Sequence, residues 1–192
     1  VGYRHIDTAQ SYFNEEEVGN AIKKSGIPRE ELFITTKVWI EHYRYEECRK
    51  SVIESMRKLQ LDYIDLVLLH QPFADYYGAW RALEELYAEG KLRAIGVSNF
   101  NSDRLVDICS FSRIKPMVNQ VETHPHNQQK AAHEWMNKYG VVHEAWAPFG
   151  EGRGGLFTDP VLEKIAALHF VKLGAGSKRR AACRNGGHGQ LA

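Results

Sequence analysis

Polar or ionisable residues stand at the ends of six short apolar runs in this 192-residue sequence. These residues are Asp7, Lys37, His70, Asn99, Gln120 and Trp146, whose ring carries an N–H group. Burying any of them inside a sheet would be costly, although a single one would usually be a surface residue. If the runs are parallel strands, their carboxyl ends meet at one edge, where loops build active sites. The sequence therefore predicts one shared polar pocket.

The residue types at these ends suit proton transfer to a carbonyl group. Lys37 and Asp7 would form a partly buried ion pair, and Tyr12 lies five residues after Asp7. A cation near a phenol favours the phenolate, so Tyr12 becomes a usable proton donor and acceptor near neutral pH. His70 could hold the substrate oxygen by a hydrogen bond. This set suits reduction of a carbonyl, and no Ser or Cys is paired with a base as a hydrolase would need.

The elements that position these residues alternate regularly along the chain. Six runs rich in β-branched and large apolar residues cover residues 3–7, 32–38, 63–70, 93–98, 117–121 and 141–147. Each run precedes a segment with helical apolar spacing, such as the helix predicted to begin near Tyr45. This alternation indicates parallel strands with right-handed crossovers, in a doubly wound sheet or a (β/α)8 barrel. A closed barrel needs eight such units. We therefore expect an α/β fold, an incomplete (β/α)8 TIM barrel of about six units over residues 1–168.

Several segments of the sequence resemble the aldo-keto reductase family in order and spacing. They are GYRHIDTAQSYFNEEEVG at residues 2–19, ITTKVW at 34–39, DLVLLHQP at 65–72, GKLRAIGVSNF at 90–100, NQVETHP at 119–125 and AWAPFG at 145–150. The resemblance covers roughly residues 1–168. It implies a (β/α)8 barrel that binds NADPH and reduces aldehydes or ketones to alcohols.

The resemblance also implies catalytic and substrate-binding residues. The family's catalytic tetrad falls on Asp7, Tyr12, Lys37 and His70, with Tyr12 as the general acid. Trp39 matches a family position that lines the substrate pocket, together with Tyr12 and His70. The tetrad coincides with the residues that the spacing had already identified.

Four further positions match the family's cofactor-binding residues. Ser98, Asn99 and Gln120 would hold the nicotinamide carboxamide, and Trp146 would take the place of the aromatic residue that stacks on the nicotinamide ring. Amide side chains suit a carboxamide because each offers both a donor and an acceptor. The family does not bind its cofactor through a Rossmann turn, so this assignment requires no GxGxxG motif.

The sequence departs from the family at both ends. The first strand is missing, and so is the C-terminal segment that binds the adenosine phosphate. Residues 169–192 form an irregular basic tail, which we expect to be poorly ordered or grafted. We interpret the chain as truncated. Uncovered sheet edges would then favour self-association, and the activity could be lost.

Charge and composition narrow the partners and the compartment. The first 171 residues carry a net charge of −4, which gives no broad basic surface for nucleic acid. The three cysteines are far apart, without metal-ligand spacing, which favours a reducing compartment. No apolar stretch is long enough to span a membrane, and no signal peptide is visible. We expect a cytoplasmic protein whose partner is a small carbonyl substrate.

Two other functions remain open at this point. One is a catalytically silent barrel or binding protein, such as a truncated pseudoenzyme. The other is a metal-dependent barrel hydrolase, suggested by His124-x-His126 and His5-x-Asp7, although Pro125 interrupts the first pair. We assign no metal. Trp80 and Trp135 lie on helical apolar stripes and are predicted to be core residues.

Overall fold

The computed structural model describes residues 2–169. The predicted irregular tail lies outside the described residues from position 170 onward. The chain divides into two compact units, Val1–Asn119 and Gln120–Ala192.

The first unit alternates strands and helices. Its strands are β1 (His5–Asp7), β2 (Phe33–Val38), β3 (Leu66–Leu69) and β4 (Ile95–Ser98), followed by the beginning of β5 (Val118–Glu122). Its helices are α1 (Glu15–Ser25), α2 (Tyr45–Leu59), α3 (Tyr76–Ala88) and α4 (Ser102–Phe111), with short 3-10 turns at Gln10–Tyr12, Arg29–Glu31 and Ile40–His42. Strands β1 to β4 pair in chain order, and every pair is parallel. Parallel neighbours in chain order are what repeated βα units produce.

The second unit continues the same alternation. The end of β5 is followed by α5 (Lys130–Tyr139), β6 (Val142–Trp146) and α6 (Pro160–Leu168), with short 3-10 turns at Gly150–Gly152 and Leu156–Thr158. Thr123, directly after β5, donates its backbone N–H to the carbonyl oxygen of Trp146 at 3.2 Å. Asp159 caps α6 by accepting hydrogen bonds from the N–H groups of Val161 and Leu162, and Pro160 occupies the first turn.

The six predicted strands are all present, with small differences at their ends. The run at 63–70 gives a shorter strand, because Ile64 forms only an isolated bridge with Leu92 before a bend at Asp65. Helix α2 begins at Tyr45, as the apolar spacing predicts. The fold class predicted from the sequence, an incomplete (β/α)8 barrel, is therefore confirmed.

The core of the first unit lies between the sheet and its helices. All four residues of β3 are buried, as expected for a parallel strand with both faces covered. Helices α2 and α3 bury one face each, including Val52 and Trp80. Helix α1 approaches α2 closely at Gly19, where an added Cβ would lie 2.7 Å from the carbonyl oxygen of Leu59. Glycine is required there by space.

The prediction that Trp135 is a core residue is wrong. Its side chain is 38% exposed, and its ring stacks on Tyr139 one turn further along α5. The Lys138 ammonium lies 4.7 Å from the centre of the same ring. The neighbouring residue Met136 is the buried one on this helix.

A buried carboxylate ties the amino-terminal ends of β2, β3 and β4 together. Asp65 precedes β3 and is 1% exposed. It accepts hydrogen bonds from Arg29 at 2.6 Å and from the backbone N–H of Ile34 at 2.9 Å, and it lies 3.3 Å from Arg93. Arg29 also donates to the carbonyl oxygen of Tyr63 at 3.0 Å. Such a network stabilises the end of the sheet remote from the strand carboxyl ends.

We expect Asp65→Ala to lower the free energy of unfolding by about 3 kcal/mol. The substitution leaves the buried N–H of Ile34 without its acceptor and removes the anionic partner of Arg29 and Arg93. Urea unfolding followed by circular dichroism measures the change. Asp62→Ala, at an exposed position three residues earlier, is the control and should change the unfolding free energy little. Equal stabilities of the two variants would contradict the structural role of Asp65.

Candidate active site

Most of the predicted site residues lie at the carboxyl ends of the strands of the first unit. Asp7 and Ser98 are the last residues of β1 and β4, Lys37 is the last but one of β2, and His70 directly follows β3. The parallel register places all these ends at the same edge of the sheet. The pairing of these strands therefore brings Asp7, Lys37, His70 and Ser98 to one edge of the sheet.

Lys37 is a buried cation with two oxygen partners. Its side chain is 2% exposed, and its ammonium forms an ion pair with the Asp7 carboxylate. The ammonium also donates to the backbone carbonyl oxygen of Thr8 at 3.0 Å. Asp7 itself remains one-third exposed, so the pair is buried on the lysine side and open to water on the carboxylate side. An ammonium in this position stabilises negative charge on any group brought beside it.

Tyr12 is the group beside that ammonium. The Lys37 ammonium lies 5.1 Å from the centre of the Tyr12 ring. Tyr12 ends the 3-10 turn that follows β1, and the next residue, Phe13, adopts a left-handed backbone with φ 55°. Tyr12 is half exposed, and one face of its ring lies toward the buried Lys37 ammonium.

Gln10 anchors the turn that carries Tyr12, and sequence reasoning did not identify it. Its amide oxygen accepts the backbone N–H of Trp39 at 3.0 Å, and its amide nitrogen donates to the Ser55 hydroxyl of α2 at 3.1 Å. The turn is thereby fixed to the segment after β2 and to α2. A polar residue two positions before Tyr12 was the only available signal, and it is also typical of an exposed turn.

The backbone of His70 is held on both sides. Its N–H donates to the carbonyl oxygen of Val38 at 3.1 Å, and its carbonyl oxygen accepts from the Asn99 amide at 3.1 Å. The His70 ring meets the Tyr12 ring edge to face at 5.8 Å and the Trp39 ring at 5.1 Å. The structure thus brings together the predicted tetrad and the predicted pocket residue Trp39.

The His70 imidazole is neutral near pH 7. Burial and, second, the nearby Lys37 ammonium lower its pKa from 6.5 to about 4, while the Asp7 carboxylate acts in the opposite direction. The Ser11 hydroxyl lies 3.4 Å from Nδ1. A hydroxyl that donates to Nδ1 leaves the ring proton on Nε2. A neutral imidazole of this kind can donate a hydrogen bond without acting as a strong acid.

Ser98 and Asn99 form a polar end to β4. Ser98 is buried, and Asn99 has a left-handed backbone with φ 62°, a conformation that asparagine tolerates better than most residues. The Asn99 amide nitrogen lies 3.2 Å from the Ser98 hydroxyl as well as bonding the carbonyl oxygen of His70. The pair offers both donors and acceptors at the strand end.

In the second unit, Gln120 and Trp146 lie on β5 and β6. Gln120 is buried and donates its amide N–H to the Glu144 carboxylate at 2.9 Å. Trp146 ends β6 and is half-buried. Sequence reasoning missed Glu144, although an acidic residue in the middle of a predicted strand is a signal for a polar partner.

The histidines that suggested a metal site have other partners. His5 hydrogen-bonds the Thr35 hydroxyl at 2.9 Å, and His124 lies 3.3 Å from the Glu122 carboxylate. Residues 2–169 contain no group of three or more His, Cys, Asp or Glu side chains placed to hold a metal ion. Within this same range, no helix combines the length and apolar content needed to cross a membrane.

Comparison with known proteins identifies the family. The Aldo/keto reductase family model matches residues 1–165. The chain therefore belongs to the aldo/keto reductase family, as the sequence motifs indicated.

Individual relatives agree with this assignment. The chain is 51% identical over 169 residues to the glyoxal reductase of Bacillus subtilis, covering 88% of this chain and 60% of that protein. It thus spans about 60% of the length of this curated relative. MGS-M4, an aldo-keto reductase from a Medee basin deep-sea metagenome library, matches 95% of this chain and 68% of its own with a TM-score of 0.91 and 44% identity. The Bombyx mori aldo-keto reductase, solved in complex with NADP, matches 92% of this chain and 64% of its own with a TM-score of 0.87 and 36% identity.

We expect the His70 imidazole to titrate near pH 4, because burial and the Lys37 ammonium both disfavour its charged form. Between pH 6.5 and 4 the unfolded chain then binds a proton that the folded chain does not, so acidification in this range destabilises the fold. Proton NMR of the histidine ring signals measures the midpoint, with His70→Gln to assign the resonance. A midpoint at or above 6.5 would contradict the buried, cation-facing environment.

Proposed function

We propose that the chain reduces small aldehydes or ketones to alcohols with NADPH, using Tyr12 as the general acid. The observation that carries the proposal is the buried Lys37 ammonium, paired with the partly exposed Asp7 carboxylate, beside the Tyr12 ring and a neutral His70. Membership of the aldo/keto reductase family and the NADP complex of the Bombyx mori relative support the same chemistry.

The residues proposed to bind the cofactor suit its nicotinamide end. Ser98 and Asn99 supply a buried hydroxyl and an amide at the end of β4, which match the donors and acceptors of a carboxamide. Gln120 and Trp146 in the second unit are assigned from the family resemblance. NADPH, when bound, supplies the hydride for the carbonyl carbon.

Tyr12 then supplies the proton. Its hydroxyl donates to the carbonyl oxygen as that oxygen gains negative charge, and the Lys37 ammonium stabilises the phenolate left behind. Asp7 balances the charge of the buried Lys37 ammonium and holds it in place. General acid catalysis of this type contributes typically 10² to 10⁴ in rate, about 3 to 5 kcal/mol.

His70 orients the substrate in this proposal. The Nε2–H group of the neutral ring donates a hydrogen bond to the substrate oxygen, which places the oxygen toward Tyr12. A charged imidazolium would compete with Tyr12 as the acid, and the low pKa of His70 prevents this near pH 7. Trp39, packed against the His70 ring, forms an apolar wall for the rest of the substrate.

The substrate class is proposed from the relatives and from the exposed position of Tyr12. A glyoxal reductase is 51% identical to this chain, and glyoxal is a small dicarbonyl compound. We therefore propose small aldehydes and dicarbonyls as the first compounds to examine.

We expect Tyr12→Phe to lower kcat for glyoxal reduction at least about 100-fold, because the variant keeps the ring but cannot donate the proton. NADPH absorbance follows the reaction, and fluorescence titration of NADPH should give an unchanged affinity. Tyr3→Phe, which removes a phenol hydroxyl from another exposed tyrosine, is the control and should retain full activity.

Two results would contradict this proposal. Activity that survives Tyr12→Phe would exclude Tyr12 as the acid. A chain that binds NADPH but reduces none of a panel of aldehydes and ketones would instead favour the catalytically silent alternative.

A further inference from the structure

A buried phenol clamps the loop that follows His70. Tyr43 comes directly after the 3-10 turn Ile40–His42 and is 1% exposed. Its hydroxyl donates to the carbonyl oxygen of Gln71 at 2.8 Å and accepts from the N–H of Gln71 at 2.9 Å. One side chain thus satisfies both backbone groups of a single residue.

The clamp completes the fixation of His70. The N–H of His70 bonds to Val38 in β2, and its carbonyl oxygen accepts from Asn99 after β4. Tyr43, in the segment after β2, hydrogen-bonds both backbone groups of the next residue, Gln71. The four hydrogen bonds leave neither peptide unit beside His70 free to rotate, so the direction of its Cα–Cβ bond is fixed.

The Tyr43 hydroxyl is a permanent donor. Burial raises its pKa above the ordinary value of 10, and the hydrogen bonds to Gln71 oppose this only in part. The phenol therefore stays protonated near neutral pH, and the clamp stays closed there. Among the hydrogen bonds of residues 2–169, none joins the Tyr43 hydroxyl to the side chain of Tyr12 or Lys37. The hydroxyl therefore acts by holding the backbone in place.

We propose that Tyr43 is a positioning residue, which holds the His70 imidazole at the distance from Tyr12 that the carbonyl substrate requires. This inference rests on the proposed function, since His70 there orients the substrate oxygen. An error of about 1 Å in such an orientation can cost up to 10² in rate.

The test is Tyr43→Phe, which keeps the buried ring and removes both hydrogen bonds to Gln71. We expect kcat/KM for glyoxal to fall about tenfold, with a higher KM for the carbonyl and an unchanged affinity for NADPH. A role confined to stability would lower the urea midpoint without changing these constants per folded molecule.

Two matched controls separate the clamp from general effects. Tyr45→Phe removes another phenol hydroxyl two residues later, one that bonds to Glu85 on α3 and not to the loop after His70. Gln71→Ala removes the Gln71 side chain but keeps the backbone groups that Tyr43 holds. Both controls should leave kcat/KM within about twofold of the unmodified chain.

A second readout needs neither cofactor nor activity. In the free chain, NMR signals of the His70 ring should shift or broaden in Tyr43→Phe and stay unchanged in Tyr45→Phe. Unchanged His70 signals in Tyr43→Phe overturn the positioning role, whatever the activity. Changed signals in a chain that reduces no carbonyl show that the clamp acts on His70 while the proposed reductase function fails. Changed signals with unaltered kinetic constants in an active chain overturn the link to catalysis.

Discussion

The buried Lys37 ammonium is the constraint on which the rest of the site depends. A cation that is 2% exposed is tolerated only where oxygen atoms replace the lost water, and here they come from Asp7 and the Thr8 carbonyl. Both partners belong to the end of β1, so the parallel register of β1 and β2 is a condition for burying the charge. Once the charge is buried, its field acts on the groups around it: the ammonium lowers the pKa of His70, and it lies 5.1 Å from the centre of the Tyr12 ring.

The two ends of the first unit's strands have different tasks. At the amino-terminal ends, the Asp65 carboxylate joins neighbouring strands through two arginines and a backbone N–H, and it offers nothing to a ligand. At the carboxyl ends, charges and amides remain partly open. This division is a general property of parallel βα folds, where loops at one end change with function while the other end maintains stability.

Much of this arrangement could be predicted from the sequence, because it depends on period and position. Runs of β-branched and large apolar residues, each followed by a helical pattern, located the six strands, and the residues at their ends included Asp7, Lys37 and His70. What the sequence could not give are contacts that depend on side-chain direction in three dimensions. Gln10 and Tyr43 bond to backbone groups 29 and 28 residues away, and nothing in their neighbours along the chain distinguishes them from turn residues. The misplacement of Trp135 has the same origin, since helical spacing defines a stripe but not which edge of the stripe is covered.

The half-exposed position of Tyr12 sets how the acid is regenerated in the proposed cycle. A phenol sealed inside the protein would need a chain of internal carriers to recover its proton after each turnover. Here half of the Tyr12 surface is exposed, while the Lys37 ammonium beside its ring is buried. In the proposed cycle, solvent therefore returns the proton to Tyr12 without a chain of internal carriers.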